Sequence, residues 1–229
     1  MTETYCIGLG KEIVLDVGTI ANYPADVLVG YPELNSIEQI ILQLFGQTVE
    51  EFEMDTEDVS LETIAEVRYF NYCCAIGSSI EHTVTSLLPE IDKIKATKPE
   101  DFLVDLSRLV DIESDDTPKR HYLFPIVLIY DSKEDGWLTN SYLVTQAVSM
   151  TLSMASKRRN SSIAFPPLNQ GIYSVPLEDA IPAMVNEFVK HLLTTTSIQR
   201  ISLVVKTDEE YCRIKPLLEQ VIEKSCMYV

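Results

Sequence analysis

Read as a succession of apolar and polar positions, the chain alternates between short, nearly continuous apolar runs and longer segments with helical spacing. Lys11 to Val17 (KEIVLDV) is β-branched and partly alternating, which predicts a strand. After Gly18 and Pro24, Ala25 to Val29 is apolar at almost every position, as a strand covered on both faces requires. Ser36 is placed as the N-cap of a helix running to about Phe45. Ile37, Ile40, Ile41 and Leu44 share one stripe of it, and Gly46 interrupts or ends it.

From Phe52 to about Arg120 the pattern is less regular. It predicts a strand at Val67 to Ile76, a helix near Glu81 to Leu88, and a helix from Pro99 to Val110 with Phe102, Leu103, Leu106, Leu109 and Val110 as its apolar positions. His121 to Tyr130 (HYLFPIVLIY) is the strongest strand pattern in the chain. Pro125 inside it predicts an edge or a bulge, because proline has no N–H to give to a ladder. A long helix is expected from Leu138 to Lys157, closed by Lys157-Arg158-Arg159, and then a short strand at Ile163 to Phe165. A helix from about Leu177 to Leu193, a strand at Arg200 to Val205 and a helix from Asp208 to about Lys224 complete the reading. Asp208, Glu209 and Glu210 are favourably placed in the first turn of that last helix. Strands alternating with helices predict an α/β protein with a parallel or mixed sheet and helices on both faces. No internal repeat, low-complexity tract or linker divides residues 1–229, so one domain is expected, with a divergent or inserted segment at about 52–120.

At 229 residues the chain has ample core without disulfides or metals. Its five cysteines lack zinc-like spacing: Cys73 and Cys74 are adjacent, and Cys6, Cys212 and Cys226 stand alone. Reduced thiols in an intracellular protein are the expectation. His82, His121 and His191 are scattered, with no partner at helical spacing, so no metal and no cofactor is expected. The first residues, MTETYCIGLGKE, lack the basic start and apolar run of a secretory signal. No apolar stretch approaches the about 20 residues needed to span a bilayer. A soluble, cytoplasmic protein is therefore expected, with the nucleus as the alternative reducing compartment. The net charge of −17 argues against nucleic acid or an anionic membrane as partner, since both are held by Lys and Arg. It leaves room for one small anion held by backbone N–H groups.

The stretch that invites such an anion is Ser161 to Leu177 (SSIAFPPLNQGIYSVPL). It reads as a buried strand, a rigid Pro166-Pro167 exit, a polar turn at Asn169-Gln170-Gly171, then Ile172-Tyr173 and a helix beginning near Pro176. A strand, loop and helix start in that order aim free N–H groups and the positive end of the helix dipole at one place. Gly171 would let the backbone come close to a ligand there. The plain alternative is a connector with a proline stop.

The run Ser162 to Ala180 (SIAFPPLNQGIYSVPLEDA) closely resembles the second phosphate loop of macrodomains, and the surrounding order of elements is similar. Gly18-Thr19-Ile20 stands where Gly-Asp-Ile is usual, and Ala25-Asp26-Val27-Leu28-Val29 where Val-Asp-Ala-Ile-Val is usual. The resemblance implies a three-layer α/β/α sandwich with a central mixed sheet and a site for ADP-ribose. It also implies which positions would serve that site: Gly18, Thr19, Ile20, Asn169, Gln170, Gly171, Ile172 and Tyr173. Tyr173 either stacks on a ribose or base or packs at the helix entrance. Elsewhere the chain departs from the family pattern. Thr19 replaces the Asp that holds the adenine amino group, Gly30-Tyr31-Pro32-Glu33 replaces Asn-Ala-Ala-Asn, and only Leu34-Asn35-Ser36 remains of the first phosphate loop. Lys206 falls where an aromatic often packs on adenine.

These readings together predict a non-enzymatic macrodomain-like module that binds an ADP-ribose-related or other nucleotide-derived ligand, or a protein partner, at the strand-end cleft. One alternative is an ADP-ribosyl hydrolase with a rearranged site, in which Glu33 is the general base. Another is an interaction scaffold with a closed pocket, docking through the acidic segment between Phe52 and Arg120.

Overall fold

The computed structural model describes residues 1–8, 10–30, 103–113, 119–131, 136–170 and 173–226. Among them lie eight strands: β1 (Thr2–Gly8), β2 (Lys11–Val17), β3 (Val27–Val29), β4 (Leu103–Glu113), β5 (His121–Asp131), β6 (Gly136–Leu138), β7 (Ser162–Phe165) and β8 (Arg200–Val205). Three helices are described with them: α1 (Ser141–Lys157), α2 (Leu177–Leu192) and α3 (Asp208–Cys226). The strands form one mixed sheet in the order β1-β2-β8-β7-β3-β5-β4, with β6 added to β5. β2, β8, β7, β3 and β5 run parallel, and β1, β4 and β6 run against their neighbours.

The apolar runs explain which strands are central. Val27, Leu28 and Val29 of β3, Ile163, Ala164 and Phe165 of β7, and Ile201 to Val205 of β8 are all buried, so both faces of the sheet are covered there. That is the condition under which a strand loses its polar alternation. The steps β5–α1–β7 and β7–α2–β8 move along the sheet in the same direction. Right-handed crossovers then put their helices on one face, and α1 indeed packs beside α2, and α2 beside α3.

Most boundaries fall where local chemistry puts them. β2 and β8 occupy the predicted residues, and β3 is shorter than the Ala25 to Val29 run. α1 starts at Ser141 instead of Leu138, because Asn140 is its N-cap: its Oδ1 accepts the Leu143 N–H at 3.1 Å. Leu138 belongs to β6. At the other end Arg159 takes a left-handed φ of 61°, and the Arg159 and Asn160 amides donate to Ser156 O and Ala155 O. Before α3, Thr207 Oγ1 accepts the Glu210 N–H at 3.2 Å, while Glu210 Oε2 accepts the Lys206 N–H at 2.9 Å.

The structure departs from the sequence reading at three places. The helix from Pro99 to Val110 is not formed: Leu103–Glu113 is strand β4, paired antiparallel with β5 along its whole length. The sequence also carries a period of two there, with Val104, Leu106, Val110 and Ile112 alternating against Asp105, Ser107, Asp111 and Glu113. Pairing with the long apolar β5 selects that period over the helical one. β1, not anticipated in TETYCIG, is held from the α3 side. Lys215 Nζ lies 2.6 Å from Glu3 Oε2, and the Tyr211 hydroxyl donates to the same oxygen at 3.2 Å. Third, Pro125 is neither on an edge strand nor at a bulge, since β5 lies between β3 and β4. The His121 amide donates to Asp26 O and the Leu123 carbonyl accepts from Gly30, so the odd-numbered groups of β5 face β3. The ladder with β3 ends at Leu123, and Pro125 is the next position on that side. Its missing N–H therefore falls where the ladder has stopped. The predicted helices at Ser36 to Phe45 and Glu81 to Leu88 and the strand at Val67 to Ile76 lie outside the described residues.

Candidate functional site

The parallel strands β2, β8, β7 and β3 all end at one edge of the sheet, the side on which open α/β folds place ligands. After β2, Gly18 extends the ladder by donating to Val205 O at 2.9 Å. The chain then turns through a 3-10 helix, Ile20–Asn22, closed by Asn22 N–H to Thr19 O at 3.2 Å. Thr19 is exposed at this turn, and Ile20 points into the core. At Gly18 an added Cβ would meet only Val204 Cγ1, at 3.8 Å, so this glycine is not demanded by crowding.

After β7 the chain leaves through Pro166, which is buried, and Leu168, which is fully buried. Asn169 is half-buried and Gln170 is exposed. Tyr173 returns to the interior with no exposed surface, its amide directed at Gln170 O at 3.3 Å. Its phenol hydroxyl donates to the Pro125 carbonyl at 2.7 Å. Burial pushes the phenol well above its ordinary range, against a smaller opposing pull from the Val127 amide, so it stays a neutral donor. Of the two readings for Tyr173, packing is the one observed. Ser174, next in the chain, has a φ of 35°, in the left-handed region that non-glycine residues seldom adopt.

The edge therefore gathers Gly18 and Thr19 from the end of β2 with Asn169 and Gln170 from the loop after β7. β8 lies between them and ends in exposed Lys206. Gly171, Ile172 and Glu33 lie outside the described residues. One feature was missed from sequence. Glu178 and Asp179 sit in the first turn of α2 and already complement its dipole. The Glu178 carboxyl is held below its ordinary range first by its own backbone N–H and then by Arg213. A ligand anion would therefore depend on the loop before the helix more than on the helix end.

The described histidines are at the opposite edge. His121 Nδ1 is 3.3 Å from Asp111 Oδ1, whose partner oxygen pairs with Arg158. His191 Nε2 meets Thr196 Oγ1 at 2.9 Å, and burial, then the nearby Lys11 charge, push its pKa down. Among the described residues no group of three His, Cys, Asp or Glu is arranged to hold a metal, and no helix is long and apolar enough to cross a membrane.

Solved structures share this arrangement. The Oceanobacillus iheyensis macrodomain with ADP superposes with a TM-score of 0.58 at 14% identity, over 98% of each chain. The chain has the macrodomain fold. It is a three-layer α/β/α sandwich around a mixed sheet. The same Oceanobacillus macrodomain with MES bound gives a TM-score of 0.57 at 16% identity, again over 98% of each chain. A Trypanosoma brucei macrodomain in complex with ADP-ribose gives 0.50 at 15% identity, covering 89% of this chain and 68% of that one. No family model and no curated protein matches the sequence, so the likeness is one of macrodomain architecture.

Proposed function

We propose that this macrodomain-fold protein is a non-enzymatic module that binds an ADP-ribose-related or other nucleotide-derived ligand at the mouth formed by Gly18 to Ile20 and Asn169 to Tyr173. The observation that carries the reading is the convergence of exposed Thr19, exposed Gln170 and exposed Lys206 on the C-terminal edge of three adjacent parallel strands. Backbone groups and one lysine there suit a phosphate in a protein whose net charge is otherwise −17. Fold neighbours solved with ADP and with ADP-ribose support the ligand class. The non-enzymatic part rests on Gly30-Tyr31-Pro32-Glu33, which carries none of the asparagines that the family's hydrolases place after this strand.

With only Leu34-Asn35-Ser36 in the sequence where the first phosphate loop is expected, several charge-assisted hydrogen bonds of roughly 1.5–3 kcal/mol each would be lost. Binding weaker than a complete site would give is the result. Calorimetric titration with ADP-ribose, AMP and NAD tests this directly. Saturable heat with ADP-ribose, abolished in Gly171→Glu and weakened in Asn169→Asp, is expected. No heat with any of the three overturns the nucleotide reading and leaves a protein partner as the occupant of the same mouth.

A further inference from the structure

The side of β5 that faces β3 is occupied in three stretches. β3 pairs with it from His121 to Leu123, and β6 from Ile129 to Asp131. β4 takes the whole of the other side. Between β3 and β6 the odd-numbered groups of β5, at Pro125 and Val127, face a break in the sheet where no described strand supplies partners. Proline removes one of the two N–H donors that would be stranded in that break. The Pro125 carbonyl accepts the Tyr173 hydroxyl at 2.7 Å, the Val127 amide acts on the same phenol oxygen, and the ring that carries the hydroxyl is fully buried.

We infer that Tyr173 is a positioning residue: its phenol bonds β5 between the stretches paired with β3 and β6 and so latches the β7–α2 loop to β5. Two anchors thus bracket the polar part of the loop, buried Leu168 on one side, its amide donating to Met184 Sδ at 3.3 Å, and Tyr173 on the other. The residue after the latch, Ser174, carries the loop's left-handed φ, a conformation that needs a fixed neighbour to persist. A loop anchored at both ends has fewer conformations to lose when a ligand binds.

Tyr173→Phe removes only the hydroxyl and keeps the ring that fills the core. Hydrogen exchange over residues 168–176 is expected to speed up about five- to tenfold, the worth of one buried hydrogen bond, while β8 and α3 exchange as in the parent. The affinity arm rests on the binding reading above: the ADP-ribose dissociation constant should rise by a similar factor. Unchanged loop exchange overturns the latch, and faster exchange with unchanged affinity overturns its positioning role. If the parent binds no nucleotide, the binding reading fails while the exchange arm still decides the latch. In the parent the Tyr173 hydroxyl proton should appear as a slowly exchanging resonance. Its absence would overturn the latch even if the variant failed to fold.

Discussion

Asp26 shows how a single side chain can fix the register of two strands. Its Oδ2 accepts from Ser161 N–H at 2.8 Å, Ser161 Oγ at 2.7 Å and Ser162 N–H at 2.9 Å, while the Asp26 amide donates to Ser162 Oγ at 2.9 Å. This ties the start of β3 to the start of β7 and lies at the edge opposite the mouth. Burial works against the charged carboxyl, but the hydrogen bonds from Ser161 and Ser162 outweigh it and hold the pKa below its ordinary 3.8. Because the folded value is the lower one, the stabilisation is complete above the unfolded value and is lost as pH falls through the folded value. Asp26→Asn should cost about 1–3 kcal/mol in urea denaturation at pH 7, since charged hydrogen bonds become neutral ones and one donor pair is opposed. The gap to the parent should narrow below pH 4, and a gap that is constant with pH would show that the charge contributes nothing. Arg159 is the converse case, a residue whose backbone is ill-suited to its place. A left-handed conformation costs a non-glycine residue about 1 kcal/mol, so Arg159→Gly should raise stability by a few tenths to about 1 kcal/mol after the entropy of the added glycine is subtracted. Loss of stability would mean that the Arg159 side chain holds the turn.

At the scale of the element, α1 depends on one cap. Replacing Asn140 by Ala leaves the Leu143 N–H only its bond to Asn140 O at 3.2 Å and should cost about 1 kcal/mol, whereas Asn140→Asp should retain or slightly raise stability through the dipole. Equal stability of the two variants in thermal unfolding would deny the cap its role. That cap also marks where sequence reading succeeded and failed. Strands buried on both faces were legible because apolar side chains fill nearly all of their positions, as in Val27 to Val29 and, Ser202 apart, Ile201 to Val205. Strands at the margins were not. β1 is polar in sequence and is placed by its antiparallel ladder with β2, with Glu3 meeting Tyr211 and Lys215 more than two hundred residues away in the chain. β4 carries two periods at once, and only the presence of β5 decides between them. The junction after β7 was legible as strand, loop and helix start, with Asn169 and Gln170 in the loop. The inward turn of Tyr173 was not, because its acceptor, the Pro125 carbonyl, becomes available only when β3 stops short.

For the molecule as a whole, the net charge of −17 sets a balance between long-range repulsion and local ion pairs. The pairs Glu3–Lys215, Glu12–Arg200, Glu178–Arg213 and Glu187–Lys190 lie at the surface, where each is worth little. Salt weakens both the pairs and the repulsion, but the excess of one sign is spread over the entire surface and acts over about 10 Å at 0.1 M. Repulsion should therefore dominate. Raising sodium chloride from about 0.05 to about 0.5 M at pH 7, a range across which the screening length falls severalfold, should shift the urea midpoint upward. Repeated close to the sequence isoelectric point of about 4.5, the same change should leave the midpoint unmoved or lower it, since only the pairs remain to be screened. A midpoint that falls with salt at pH 7 would reverse the order of the two effects, and the surface pairs would then have to be credited with holding the acidic chain folded.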